Sequence, residues 1–329
     1  MEKVNRVAWL DLLRCIAIAM IVFMHSPNPD IDLPGYIMTG ISYLTAPGIG
    51  LFFMLSGSLL LEKEVSTKSF LAKRFSKIVI PTLFWTVIYL FVGMMSHTHS
   101  ISEIIKILLS VPFSRQGHGI LWFMYTLVGL YLLTPVLSRW TRVATKREVE
   151  FYLFLWAITL LYPYLKTILF INESNTGILY YFSGYAGYYL FGFYLKRHYS
   201  FRFYHLLIAL AISVLIPVLV YSIDGNPDFY SLLWYLSLPV VSMAFIWFVG
   251  IKQLSFNGLP GIELASKMSF GIYFVHALII QKILWNSYFF TSMNDWIEII
   301  ATAAVGFGLS FCFSWLVSKM PFSKCIIGV

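Results

Sequence analysis

The stretch VAWLDLLRCIAIAMIVFMHS, residues 7–26, decides how this chain folds. It is a mostly apolar run of about 20 residues, the length that an α-helix needs to cross a bilayer core of about 30 Å. Asp11, Arg14 and His25 interrupt the run with ionisable groups. Because ionisable side chains inside a membrane usually face a bundle interior or a wet cavity, the stretch predicts a membrane-spanning helix with one functional face.

The composition of the whole chain extends this prediction. Of its 329 residues, 59% are hydrophobic and only 12% are charged, and the mean hydropathy is +0.78. A typical soluble domain carries about 25% charged residues, so this chain lacks the polar surface that a soluble enzyme needs. The net charge of +8 is scattered between apolar runs, which argues against nucleic acid as a partner. The sequence therefore predicts an integral membrane protein in contact with membrane lipids.

Apolar runs bounded by charges and turn residues recur along the chain and predict an all-α, polytopic fold. They indicate about ten transmembrane helices, at residues 7–26, 40–61, 78–96, 120–138, 150–171, 178–195, 203–222, 231–250, 269–288 and 296–317. The loops between them are short, so residues 1–329 are expected to form a single membrane domain without a soluble accessory domain. Placing both termini in the cytoplasm puts eighteen of the 23 Lys and Arg residues on that side, as the positive-inside rule requires.

The three ionisable residues of the first predicted span share one stripe. At about 100° per residue, Arg14 and His25 lie about 20° apart on the helical wheel and roughly 16 Å apart along the axis, with Asp11 about 40° from His25. Two interpretations remain open. Either Asp11 and Arg14 simply neutralise each other near the inner interface, or the stripe holds a base above an anion-binding group. Histidine suits the second because it takes and returns a proton near neutral pH.

A second polar face is predicted on the ninth span. Ser269, Tyr273 and His276 are spaced i, i+4, i+7 and therefore lie on one side of a helix. This face indicates a pocket, unless His276 is an ordinary packing histidine. Trp122 has two interpretations as well, an anchor at the membrane interface or a contact for the substrate.

The basic segment between the second and third spans contains Lys73, Arg74 and Lys77. It either anchors the chain on anionic lipid, or places Arg74 and Lys77, one helical turn apart, on the phosphates of a cytoplasmic donor. The pair His97 and His99 supplies too few ligands for a metal site, and no phosphate-binding loop or dinucleotide fingerprint occurs. We therefore expect neither a metal nor a permanently bound cofactor.

Several stretches together resemble the acyltransferase-3 family of bacterial membrane acyltransferases. The likeness rests on Asp11 and Arg14 leading to His25, and on four further stretches in the family's order: GLFFMLSG at 50–57, KRFSK at 73–77, LWFM at 121–124 and SFGIYFVH at 269–276. The chain is most similar to the short members of the family, such as the enterobacterial-common-antigen O-acetyltransferase type.

This resemblance implies a fold, a location and an activity. It implies a multi-pass enzyme of the bacterial cytoplasmic (inner) membrane that moves an acyl group, typically acetyl from cytoplasmic acetyl-CoA. The acceptor is a hydroxyl of a cell-surface polysaccharide or of its lipid-linked precursor. The identity of the glycan, the length of the acyl group and the oligomeric state are left open.

The resemblance also implies roles for individual residues. His25 becomes the catalytic histidine, as general base or as transient acyl acceptor, with Arg14 as its companion and Asp11 as a partner of Arg14. Arg74 and Lys77 fall in the family's basic loop, although Lys77 stands where the family has a second arginine. The remaining candidates are Lys73 for the donor, and Ser269, Tyr273, His276, Ser56 and Trp122 for the cavity.

One alternative from a different class stays open. The same polar stripes would line the translocation path of a polysaccharide exporter or flippase. Such a protein needs no acyl donor and leaves the acylation of the glycan unchanged, so the two functions are separable by experiment.

Overall fold

The computed structural model describes residues 7–64, 66–95, 100–110, 119–169, 171, 177–225, 227–254 and 257–329, and the pair His97 and His99 lies outside these residues. Every element within the described ranges is helical. In chain order the α-helices are α1 (Ala8–Met24), α2 (Gly35–Thr45), α3 (Pro47–Leu60), α4 (Thr67–Arg74), α5 (Ile80–Met95), α6 (Ile101–Ser110), α7 (Trp122–Val143), α8 (Lys146–Thr159), α9 (Tyr162–Leu169), α10 (Ala186–Arg197), α11 (Phe203–Asp224), α12 (Phe229–Leu232), α13 (Leu238–Gln253), α14 (Pro260–Ile279), α15 (Tyr288–Thr291), α16 (Asp295–Val317) and α17 (Ser323–Ile327).

Six helical stretches among the described residues are long and apolar enough to cross a membrane. They are Gly35–Leu60, Thr67–Gly93, Gly119–Val143, Phe203–Ile223, Pro260–Leu284 and Asp295–Val317. The predicted all-helical membrane protein is confirmed at this level, whereas the count of ten spans and the cytoplasmic termini stay predictions. The other predicted spans fall on shorter helices, among them α1 with 17 residues and α13 with 16.

Several predicted spans have different bounds in the structure; the spans at 178–195 and 231–250, for example, correspond to α10 and α13, which begin only at Ala186 and Leu238. The span at 150–171 is divided, because α8 ends at Thr159 and α9 begins at Tyr162. The span predicted to begin at 269 begins at Pro260, since Glu263 and Lys267 belong to the helix. These two side chains form an ion pair across one turn, with Lys267 Nζ 3.1 Å from Glu263 Oε1, and so are compatible with the helical backbone.

Two π-helical turns continue the long helices without ending them. One, Phe75–Val79, joins α4 to α5 and contains Lys77, while the other, Ile280–Leu284, follows α14 shortly after His276. Such turns are rare and are frequently found at functional sites. Both therefore lie beside residues that the sequence singles out.

Helix α1 packs against α3 and α14, and α14 also packs against α16. Helices α1 and α14 run parallel, because Asp11 meets Ser266 near their first turns and His25 meets His276 near their last. On the other side of α3, glycines allow close approach to α10. A Cβ at Gly57 would collide with the backbone of Tyr189, and one at Gly192 with the backbone of Met54, as expected of small residues where membrane helices touch.

Candidate functional site

The first turns of α1 and α14 are joined by a buried polar network. Ser266 Oγ donates to Asp11 Oδ1 at 2.6 Å and accepts from Arg14 Nη1 at 3.3 Å. Asp11 and Ser266 are buried, and Arg14 is half-buried. One hydroxyl thus links a carboxylate to a guanidinium, and hydrogen bonds that involve a charged group are the stronger kind.

Ser266 is not among the residues predicted from the sequence, although the helical spacing contains a signal for it. Ser266 precedes Ser269 by three residues and extends the face of Ser269, Tyr273 and His276 by one turn. The predicted span began at 269 and so excluded it.

A cavity of about 200 Å³ connects Arg14 to the basic segment. Arg74, Lys77 and Ser56 line it together with Arg14, so the structure brings four predicted residues from α1, α3 and the α4–α5 region to one place. Lys73 is exposed and is not among the described residues that line this cavity. Four basic or polar side chains around one small cavity form a site suited to an anion.

Arg74 is held in this cavity by two aromatic rings. Its guanidinium carbon lies 5.4 Å from the ring centroid of Phe70 and 5.0 Å from that of Tyr131. A cation over the face of a ring is attracted by the ring quadrupole. These contacts orient the guanidinium without occupying its N–H donors, which therefore remain suited to binding an anionic ligand.

The last turn of α1 brings a pair of histidines together. The ring centroids of His25 and His276 are 5.1 Å apart with an interplanar angle of 71°. His25 Nδ1 donates to the carbonyl of Ile21 at 2.8 Å, and His276 Nδ1 donates to the carbonyl of Tyr273 at 2.6 Å. Because a carbonyl only accepts, these contacts assign the proton to Nδ1 in each neutral ring and leave a lone pair on Nε2.

The two histidines differ in their surroundings. His276 is fully buried, and its Nε2 has no hydrogen-bond partner among the described residues. His25 is half-buried. Polar atoms without partners are rare in protein interiors and call for an explanation. A neighbouring imidazole that takes up protons during a reaction is one such explanation.

Tyr273 and Ser269, the other predicted residues of α14, lie on the same helix as His276. The hydroxyl of Tyr273 donates a hydrogen bond to the carbonyl of Ile120, and the Tyr273 ring centroid lies 5.7 Å from that of His276. Ser269 is buried on the same helix. Trp122 does not line the Arg14 cavity but packs against Tyr235 at 5.4 Å between ring centroids.

The segment after His25 is fixed by a buried carboxylate that the sequence analysis did not identify. Glu298 is only 3% exposed and accepts a hydrogen bond from Asn28 Nδ2 at 3.2 Å. Trp285 Nε1 donates to the carbonyl of Ser26 at 3.1 Å. From sequence, Glu298 looks like an acidic residue in the first turn of α16, a position favoured by the helix dipole, and periodicity gives no sign of its burial.

Helix α1 therefore bears two different sites on the face that meets α14. Its first turns contribute Arg14 to a basic cavity, and its last turn contributes His25 to a histidine pair. Among the described residues, no three His, Cys, Asp or Glu side chains converge in a way that could hold a metal ion.

A comparison with protein families finds one match. A family model described as an acyltransferase domain matches residues 7–319, which include α1 to α16 and thus both sites. No curated protein matches the chain, and no solved structure matches it.

Proposed function

The chain belongs to the acyltransferase-3 family, and on this premise we propose that it moves an acetyl group from cytoplasmic acetyl-CoA to a hydroxyl of a cell-surface polysaccharide or of its lipid-linked precursor. Family membership makes it a membrane enzyme that transfers acyl groups other than aminoacyl groups. One observation supports the finer proposal, namely that a single helix contributes both to a basic cavity and to a histidine pair.

The basic cavity is the proposed site for the donor. Arg74 and Lys77 bind the phosphates of acetyl-CoA, since guanidinium and ammonium groups both bind phosphate well. Arg14 lines the same cavity, and His25 lies roughly 16 Å further along α1. In this proposal the slender pantetheine arm extends from the cavity along α1 and brings the thioester to the histidine pair. The positive-inside bias of the loops supports a cytoplasmic cavity in the inner membrane of a bacterium.

The histidine pair is the proposed site of the reaction. His25 Nε2 takes the proton of the acceptor hydroxyl while the hydroxyl oxygen attacks the thioester carbonyl. The new C–O bond forms, the C–S bond breaks, and the coenzyme A thiolate recovers the proton from His25. In the covalent variant, His25 Nε2 attacks the thioester carbonyl and the C–S bond breaks to release the coenzyme A thiolate. The acceptor hydroxyl then displaces the imidazole from the acetyl group, and its proton passes to the thiolate. Either route needs a lone pair on Nε2, and the hydrogen bond from Nδ1 to Ile21 supplies it.

The experiment follows label from acetyl-CoA into glycan in membranes that contain wild type, His25→Gln or His205→Gln. His205 on α11 is a matched control, because it is also half-buried but packs against Tyr199 and Tyr204, away from the histidine pair. We expect His25→Gln to lose transfer by about 10²- to 10⁴-fold, the contribution of a general base, and His205→Gln to keep most of it. Equal incorporation in all three would remove His25 from the mechanism.

The same experiment separates transfer from export. An exporter places the glycan outside without acetyl-CoA and leaves its acetylation unchanged. Labelled glycan in wild-type membranes, with none in membranes lacking the protein, supports the acyltransferase. Glycan that reaches the outside in unlabelled form, at a rate indifferent to acetyl-CoA, contradicts it.

A further inference from the structure

Four aromatic side chains converge at the same end of α1 as His25. We call Trp122, Tyr185, Trp234 and Tyr235 the Trp122 cluster. The ring of Trp122 is its centre, with centroid distances of 5.3 Å to Tyr185, 6.3 Å to Trp234 and 5.4 Å to Tyr235. The members come from three separate parts of the chain, the start of α7, the residue before α10 and the segment before α13.

The Trp122 cluster contacts α1 at the residue before His25. Tyr235 Oη donates a hydrogen bond to Met24 Sδ at 3.1 Å, and Met24 is the residue before His25. A second connection runs through Phe123, the residue after Trp122, whose ring centroid lies 5.3 Å from that of Tyr273. Tyr273 in turn neighbours His276, which touches His25. The cluster and the histidine pair are thus linked through Met24 on one side and through Phe123 and Tyr273 on the other.

The tryptophans of this cluster differ from those that face outward. Trp296 and Trp315 are 47% and 40% exposed, as expected of residues that anchor a helix at the membrane interface. Trp122 and Trp234 are half-buried, and their rings stack on each other at 29°. Tyr185 and Tyr235 behind them are buried. The cluster therefore combines two buried tyrosines with two tryptophans that are each partly exposed.

We propose that the Trp122 cluster is the acceptor subsite, on which one pyranose ring of the glycan stacks against Trp122 and Trp234 and presents a hydroxyl to His25. The inference rests on the proposed acyl transfer to a glycan and identifies where the glycan binds. A sugar ring has an apolar face of C–H groups, which matches the flat apolar surface of an indole. Specific ligand sites commonly combine such aromatic walls with a few polar groups.

The test compares Trp234→Phe and Trp122→Phe with Trp296→Phe, an exposed tryptophan outside the cluster. Phe keeps a smaller aromatic ring, so the variants preserve most of the packing. The acceptor is glycan from the host envelope that has been de-O-acetylated with mild base and is dosed by total sugar. We expect the KM for glycan to rise roughly 3- to 10-fold in the two cluster variants, because the smaller ring offers less stacking surface to the sugar, within the range of one aromatic contact. The KM for acetyl-CoA stays unchanged.

Retention of the same glycan by the immobilised, solubilised protein provides a second measurement that needs no transfer. Weaker retention by Trp234→Phe than by Trp296→Phe supports the subsite, even if wild type transfers no acetyl group and the proposed reaction fails. Equal KM values and equal retention in all variants overturn the subsite and assign the tryptophans to interfacial anchoring. A rise in the KM for acetyl-CoA alone overturns it as well, because the cluster would then bind the donor.

Discussion

The two ends of the α1–α14 pair use the same parallel packing for different kinds of polar chemistry. At the first turns, a carboxylate, a guanidinium and a hydroxyl form one network through Ser266. At the last turns, two imidazoles touch, and the Nε2 atom of His276 has no partner within the described structure. The first end holds oppositely charged groups in one network, and the second holds two imidazoles in contact, which suits the proposed proton transfer.

This difference has a physical consequence for each end. A satisfied buried network stiffens the helices that it joins, whereas a buried polar atom without a partner carries a penalty of about 1–3 kcal/mol. Proteins often accept such penalties at functional sites, where stability is exchanged for activity. We therefore expect substitutions at the two ends to separate donor binding and stability from turnover.

Substitution in the basic cavity is expected to impair donor binding more than any other change discussed below. Arg74→Ala removes a guanidinium that is oriented by Phe70 and Tyr131, and we expect the KM for acetyl-CoA to rise by roughly 10- to 100-fold, the range for hydrogen bonds to a charged group. Lys77→Ala should raise it less, because Lys77 is largely exposed.

Lys73→Ala is the matched control for these two substitutions, since Lys73 lies on the same helical segment outside the cavity. Steady-state rates at graded acetyl-CoA measure the effect. If Lys73→Ala and Lys77→Ala raise the KM equally, the segment binds anionic lipid, and the cavity is not the donor site.

Substitution of His276 is expected to have a smaller effect, and on turnover instead of donor binding. His276→Phe keeps a ring against His25 but removes the nitrogen that would share the proton taken up by His25. We expect turnover to fall by about tenfold, within what one proton-transfer partner contributes, while the KM for acetyl-CoA stays unchanged. Thermal unfolding should show a variant as stable as wild type or more so, because an unsatisfied buried nitrogen has been removed.

The ordinary interpretation of His276 predicts another result. If the histidine only packs, His276→Phe turns over acetyl-CoA at the wild-type rate and with an unchanged pH profile. Full activity in this variant would therefore show that His276 takes no part in the reaction and leave His25 as its only proposed histidine.

The sequence predicted the faces of helices better than the partners of those faces. A period of 3.6 residues places Asp11, Arg14 and His25 on one stripe and Ser269, Tyr273 and His276 on another. It contains no information about which stripes meet, so the contacts of Asp11 with Ser266 and of His25 with His276 appear only in the fold. For the same reason Glu298, whose partner Asn28 is distant in sequence, could not be identified.

Backbone irregularities were also beyond the reach of the sequence. The π-helical turn at Phe75–Val79 has an apolar and basic composition that suits an ordinary helix, and its wider winding depends on tertiary packing. Helix α14 extends further toward its N-terminus than hydropathy indicates, because its two charged residues neutralise each other across one turn. Hydropathy alone treats such charges as the end of a span.

The smallest expected effect concerns the network at the first turns. Ser266→Ala removes the donor to Asp11 Oδ1 and the acceptor for Arg14 Nη1, and we expect the free energy of unfolding to fall by about 1–2 kcal/mol. Ser310→Ala is the matched control, since Ser310 is equally buried but its hydroxyl donates to the carbonyl of Gly306 on its own helix. Thermal unfolding in detergent compares the stability of the two variants.

Because Arg14 is shared between the network and the cavity, Ser266→Ala should also raise the KM for acetyl-CoA a few-fold, whereas Ser310→Ala should leave it unchanged. Equal losses of stability in both variants, with no change in the KM, would mean that the network is ordinary helix packing and that the two ends of α1 differ less than their contacts indicate.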